Sequence, residues 1–186
     1  MIDLVKLNDY KEAFGFFARQ LAYPEKRSMQ NLTMDGDVPP PVAQLLNKYR
    51  EQMELLSMEE IEERYVQTFD FQKSATLYMT YFKFEDSRER GNMLSALKAI
   101  YETFGLEMAD SELPDYLPLM CEFLYAAEWV GQEKAELGVS TLLSVLEDGT
   151  YSLMNALEKI ESPYFYLVKA LRETFKCCLR KEALES

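Results

Sequence analysis

The chain is 186 residues long, with 32 acidic and 20 basic side chains, a formal charge of −12 and no histidine. With 48% hydrophobic and 13% aromatic residues it is too apolar for disorder and large enough for one cored domain over residues 1–186. The charge argues against nucleic-acid binding and favours a cationic partner, and the missing imidazole removes Ser-His-Asp and Cys-His nucleophiles and His-ligated zinc.

Asn8 or Asp9 can cap a first helix that carries Tyr10, Ala13, Phe14, Phe17 and Leu21 at the helical period, with Pro24 beyond its end. Residues 28–38 are polar, contain an Asp35-Gly36-Asp37 turn signal and read mostly as loop. Pro39, Pro40 and Pro41 lead into a second helix with Val42, Leu45, Leu46, Tyr49, Met53 and Leu56 on one side. Ser57 followed by Glu60 is a capping-box pattern for a third helix, with Ile61, Tyr65 and Phe69 inward. From Phe71 to Phe84 the chain is crowded with aromatics. Thr76, Tyr78, Thr80 and Phe82 alternate with Leu77, Met79 and Tyr81 as in a short strand. A lone strand has nothing to pair with among helices, so helix is the preferred reading.

Asp86 or Ser87 caps the next helix, whose stripe is Met93, Leu97, Ile100, Tyr101 and Phe104, with Gly105 as its stop. An acidic loop over residues 106–113 leads to Glu112-Leu113-Pro114-Asp115-Tyr116-Leu117-Pro118. There Asp115 is expected as N-cap and Pro118 in the first helical turn. Leu117, Met120, Cys121 and Leu124 face the core, while Asp115, Leu119, Glu122 and Ala126 form an acidic edge around one exposed leucine. That edge is either a solvated face or a docking surface for a basic, amphipathic segment. After Trp129, a helix from about Gln132 carries Val139, Leu142, Leu143 and Leu146 and is expected to end at Asp148-Gly149. A short helix with Leu153, Leu157 and Ile160 follows. Ser162-Pro163 starts the last helix, with Tyr164, Val168, Leu171, Phe175 and Cys178 inward and a polar tail after Arg180 expected to fray. Every periodic segment has a period near 3.6, so the fold class is all-α, a single globular multi-helix domain.

The remaining chemistry is sparse. No Gly-x-Gly-x-x-Gly or P-loop pattern is present. Glu112, Asp115 and Glu122 could serve as paired carboxylates for acid–base work, but capping and surface roles account for them. Cys177 and Cys178, being adjacent on a helix, point about 100° apart and cannot share one ion unaided. Three cysteines make no disulfide framework. No apolar run reaches the length of about 20 residues that spans a bilayer, and the N-terminus lacks a signal-peptide pattern; a soluble cytoplasmic protein without direct membrane insertion is expected. Met29, Met34 and Met58 fall outside core registers and suit an adaptable contact surface. Arg88 and Arg90 open a helix against its dipole, a local cost that asks for pairing with Asp86, Glu85 or Asp70.

Two stretches together carry a resemblance. Tyr65-Val66-Gln67-Thr68-Phe69-Asp70, Thr76-Leu77-Tyr78-Met79-Thr80-Tyr81 and Asp86-Ser87-Arg88-Glu89-Arg90-Gly91 form the first. Glu112 to Pro118, with Glu122-Phe123-Leu124 behind it, is the second. In this order they resemble the nitrate reductase delta subunit family, the molybdenum-cofactor assembly chaperones within the redox-enzyme maturation group. Two positions depart from the family pattern: Tyr116 stands where histidine is frequent, and Phe84-Glu85 stands where His-Gly is frequent.

The resemblance implies a non-catalytic helical chaperone. It would bind the N-terminal segment of the nitrate reductase catalytic subunit and keep it competent for molybdenum-cofactor insertion, holding no cofactor permanently. Molybdenum-cofactor biosynthesis proteins are further implied partners. The alternative is a generic helical adaptor for another partner. The peptide-binding residues it implies are Phe69, Asp70, Tyr78, Tyr81, Arg88, Arg90, Glu112, Pro114, Asp115, Tyr116, Leu119 and Glu122.

Overall fold

The computed structural model describes residues 2–179, and among them the regular structure is helical, with only two isolated backbone bridges outside it. The expected frayed tail lies outside the described residues. Asp3, rather than Asn8 or Asp9, caps the first helix: its Oδ1 accepts from the backbone N–H groups of Val5 and Lys6, both at 3.1 Å. The expected single helix is therefore two, α1 (Leu4–Asp9) and α2 (Lys11–Leu21), separated at Tyr10. The polar stretch that follows is not all loop. Ser28 Oγ donates to the Glu25 carbonyl and accepts from its N–H, closing a short α3 (Lys26–Gln30).

α4 (Pro40–Glu54) begins at the prolines, and α5 (Met58–Tyr65) carries the capping box, with Ser57 Oγ accepting from Glu60 N at 3.2 Å and Glu60 accepting from Ser57 N at 2.7 Å. A π-helical turn over Val66–Asp70 extends α5 and buries Phe69 against Tyr65 and Tyr164, with ring centroids 4.8 and 5.0 Å apart.

The expected helix over residues 71–84 forms as a 3-10 turn over Lys73–Ala75 and, at its end, as α6 (Tyr81–Phe84). Thr76 is extended and Leu77 and Met79 are buried on either side of half-buried Tyr78, a brief strand-like alternation that ends where Thr80 turns helical into α6. They do have a partner: Leu117 N donates to Leu77 O at 2.8 Å and Met79 N to Asp115 O at 2.9 Å, around a Tyr78–Tyr116 bridge. The turn before a later helix supplies the ladder that a purely helical pattern hides.

α7 (Arg88–Thr103) is capped by Ser87 and followed by Gly105 at φ +74. α8 (Leu117–Ala126) starts after Tyr116 with no side-chain cap, so Asp115 is not its N-cap, and Pro118 is its second residue. α9 (Ala135–Lys159) runs unbroken through Gly149, where a stop was expected. Its glycine has a packing reason. A Cβ there would lie 2.7 Å from the Met79 carbonyl oxygen and 2.8 Å from its Cα. The extended segment lies directly on the helix backbone, which only glycine permits. α10 (Tyr164–Lys176) closes the domain, packing on α4 and α9, while α2 packs along α8.

This contact sets opposite expectations for two helical glycines. Gly149→Ala should lower unfolding stability by about 1–3 kcal/mol, the cost of overpacking. Gly91→Ala, with nothing within 4 Å of the added Cβ, should raise it by roughly 0.5–1 kcal/mol. Urea unfolding of both variants reads the difference, and equal shifts would refute the close contact.

Candidate functional site

The extended segment and the turn before α8 are locked together by a buried charge. Asp115 is fully buried, and its Oδ2 accepts from Thr80 N at 3.0 Å and from Thr80 Oγ1 at 2.6 Å. Arg90 Nη2 lies 3.5 Å from the same oxygen, Nε donates to Thr80 Oγ1 at 3.0 Å, and Nη1 pairs with Asp86 at 3.2 Å. The guanidinium also lies over the Tyr81 ring, 5.5 Å from its centroid. Nearby, Tyr101 donates its hydroxyl to the Pro114 carbonyl at 2.6 Å. The expected acidic edge thus loses Asp115, which faces inward because Thr80 and Arg90 supply the donors a buried carboxylate needs. Its Oδ1 has no protein partner among the described residues.

Beside this lock runs an open groove of about 490 Å³ between α2 and α8. Gly15, Ala18 and Ala22 form one wall and Pro118, Leu119 and Tyr125 the other, with Glu112, Tyr116, Glu122 and Arg19 along the margins. The helices approach closely where the Tyr125 ring lies on Gly15; a Cβ there would meet the ring at 2.9 Å. Tyr125 also marks one end of the groove. The other end is at Ala22 and Tyr116, where Tyr65 adjoins Tyr116 and donates its hydroxyl to Leu21 O at 2.8 Å. Glu112 Oε1 accepts from Tyr78 Oη at 3.0 Å and from Leu113 N at 2.9 Å. Burial raises the Tyr116 phenol, partly offset by the Tyr65 hydroxyl, and the Glu112 and Asp70 charges add to the rise.

Of the expected residues, Glu112, Tyr116, Leu119 and Glu122 meet in the groove, Tyr78 stacks on Tyr116 at its end with ring centroids 5.5 Å apart, and Asp70 is exposed outside the groove lining. Asp115, Arg90, Pro114 and Tyr81 sit in or against the lock and position the turn. Phe69 is in the core, and Arg88 is exposed outside the groove without a carboxylate partner among the described residues. The α2 wall was missed. Its signal was available: Gly15, Ala18 and Ala22 recur at helical spacing beside the large core residues, as on a helix that lets a neighbour come close. No group of three or more His, Cys, Asp or Glu side chains that could hold a metal occurs among the described residues. No helix there is long and apolar enough to cross a membrane.

Two solution measurements follow. Asp115→Ala should cost about 3 kcal/mol, because it strands the Thr80 N–H and the half of Arg90 it neutralised, whereas Glu122→Ala should change stability by less than about 0.5 kcal/mol; denaturant titration checks both. Burial and the Glu112 hydrogen bond push the Tyr78 phenol up to about 12, and burial raises Tyr101 and Tyr164. These groups keep their protons to higher pH folded than unfolded. Their stabilisation is therefore complete below the ordinary value of 10.0 and is lost as pH rises above it, with the Tyr78 share lost by about 12. A denaturation midpoint that stays level across that window would contradict it.

Residues 35–168 match the family described as nitrate reductase delta subunit. The chain is 40% identical over 129 residues to the probable nitrate reductase molybdenum cofactor assembly chaperone NarJ of Bacillus subtilis, covering 69% of this chain and 66% of that one. It is 31% identical over 155 residues to the nitrate reductase-like protein NarX of Mycobacterium tuberculosis, covering 83% and 23%. It is 26% identical over 162 residues to the nitrate reductase molybdenum cofactor assembly chaperone NarJ of Escherichia coli, covering 83% and 65%. The chain spans just under two thirds of the two NarJ proteins and about a quarter of NarX.

Proposed function

The chain belongs to the nitrate reductase delta subunit family, and on that premise we propose that it is a maturation chaperone whose α2–α8 groove holds the N-terminal segment of a nitrate reductase catalytic subunit. The observation that carries this reading is the groove itself. It has apolar walls, an exposed acidic residue at Glu122, and Glu112 held in place by Tyr78 and Leu113. An amphipathic helix docks by laying its apolar face into such a groove and its cations against the acids. The formal charge of −12 would speed the encounter with a basic segment and weaken it in salt. Holding that segment keeps the catalytic subunit open until molybdenum cofactor is inserted. The cofactor is then cargo destined for the partner, and molybdenum-cofactor biosynthesis proteins are the expected donors. Work of this kind needs no nucleophile or proton shuttle, in keeping with a histidine-free chain.

Leu119 is half-buried in the groove, so Leu119→Glu should fold normally yet weaken binding of a synthetic catalytic-subunit N-terminal peptide roughly tenfold, about 1.4 kcal/mol. Titration calorimetry with melting curves on the same samples measures both. Unchanged affinity in a folded Leu119→Glu protein would remove the groove from the reading.

A further inference from the structure

Resting on that docking reading, we propose that the groove also selects the direction in which its guest helix lies. Arg19 and Ala22 line both the α2–α8 groove and a second recess of about 560 Å³ that adds Tyr23 and Arg27, so the two form one trough. Its two sides carry opposite charge. Glu112 and Glu122 stand on the α8 side, Arg19 and Arg27 on the α2–α3 side, where Glu25 leaves the balance positive. Among the described residues, neither arginine has a carboxylate within 4.0 Å and neither glutamate a cation. These charges are left for a guest to neutralise, and in a chain of charge −12 the two arginines oppose the general field.

A helix laid in the trough with its apolar stripe down presents one flank to the acids and the other to the arginines. Turning the helix end for end exchanges the flanks. A guest with Lys or Arg along one flank and Asp or Glu along the other therefore matches both sides in one direction only, and the reverse direction juxtaposes like charges, which costs affinity. The ligand class is an amphipathic helix with oppositely charged flanks.

The test uses two synthetic helical peptides of identical composition. Both have a leucine stripe; one has lysines on the left flank and glutamates on the right, and the other has them exchanged. Each carries a nitroxide at its N-terminus and is added to the isotope-labelled full chain at low salt, where surface charges act over the greatest range. One peptide should broaden amide signals around Gly15 and Tyr125, and the other those around Ala22 and Tyr116. In the variant Arg19→Glu, Arg27→Glu, Glu122→Lys, changed only at exposed side chains, the two patterns should exchange. Both peptides docking in the same direction, or each in both directions, would overturn direction selection while leaving the groove as a docking site. Binding by neither would overturn the docking reading as well.

Discussion

The arrangement of this domain depends on one buried carboxylate. Asp115 ties residues 76–80 to the turn that launches α8, accepting from Thr80 twice and facing Arg90. An isolated charge in this position would be strongly unfavourable, and removing one member of a buried pair typically costs about 3–5 kcal/mol. The pair therefore acts less as net stabilisation than as a condition on geometry: the segment, the turn and the start of α7 satisfy it only in one mutual placement. Arg90 opens α7 against the helix dipole, and the lock supplies the reason.

From that placement the groove follows. The turn sets where α8 begins, and α8 then lies along α2 with the Tyr125 ring on Gly15. Close approach at that end, and the Tyr116–Tyr65 contact at the other, leave a trough between the helices instead of a filled seam. Glycine performs a similar task at Gly149, where Met79 lies on the backbone of α9. The Gly15 contact thus sets how near α2 and α8 come, and the Asp115–Arg90 pair sets where α8 starts. Segment 76–80 and residues 112–118, two of the stretches that carry the family resemblance, are largely scaffolding for the groove, with Glu112 and Tyr116 reaching it directly.

Much of the architecture is legible in the amino-acid pattern. Ser57 and Glu60 cap α5, Ser87 caps α7, Pro40 opens α4 and Gly105 follows α7 at positive φ, because these signals act over four residues or fewer. The core stripes of α4, α5 and α10 hold for the same reason, since period alone places Val42, Ile61 or Val168 inward. The Asp3 cap and the Glu25–Ser28 pair were local signals passed over; the other misreadings share one cause. Gly149 looks like a stop, residues 71–80 like helix, and Asp115 like a cap, because the partners that explain them lie 35 to 70 residues away in the sequence.

Taken alone, then, the order of residues determined an all-helical, acidic, histidine-free domain and its family. Which residues line the α2–α8 groove was decided by the tertiary structure: Asp115 turned inward to Thr80 and Arg90, and α2 contributed an unforeseen wall. Local signals state where a helix starts and which stripe is apolar. Whether a carboxylate is buried or a groove left open depends on donors and backbones brought together from distant parts of the chain.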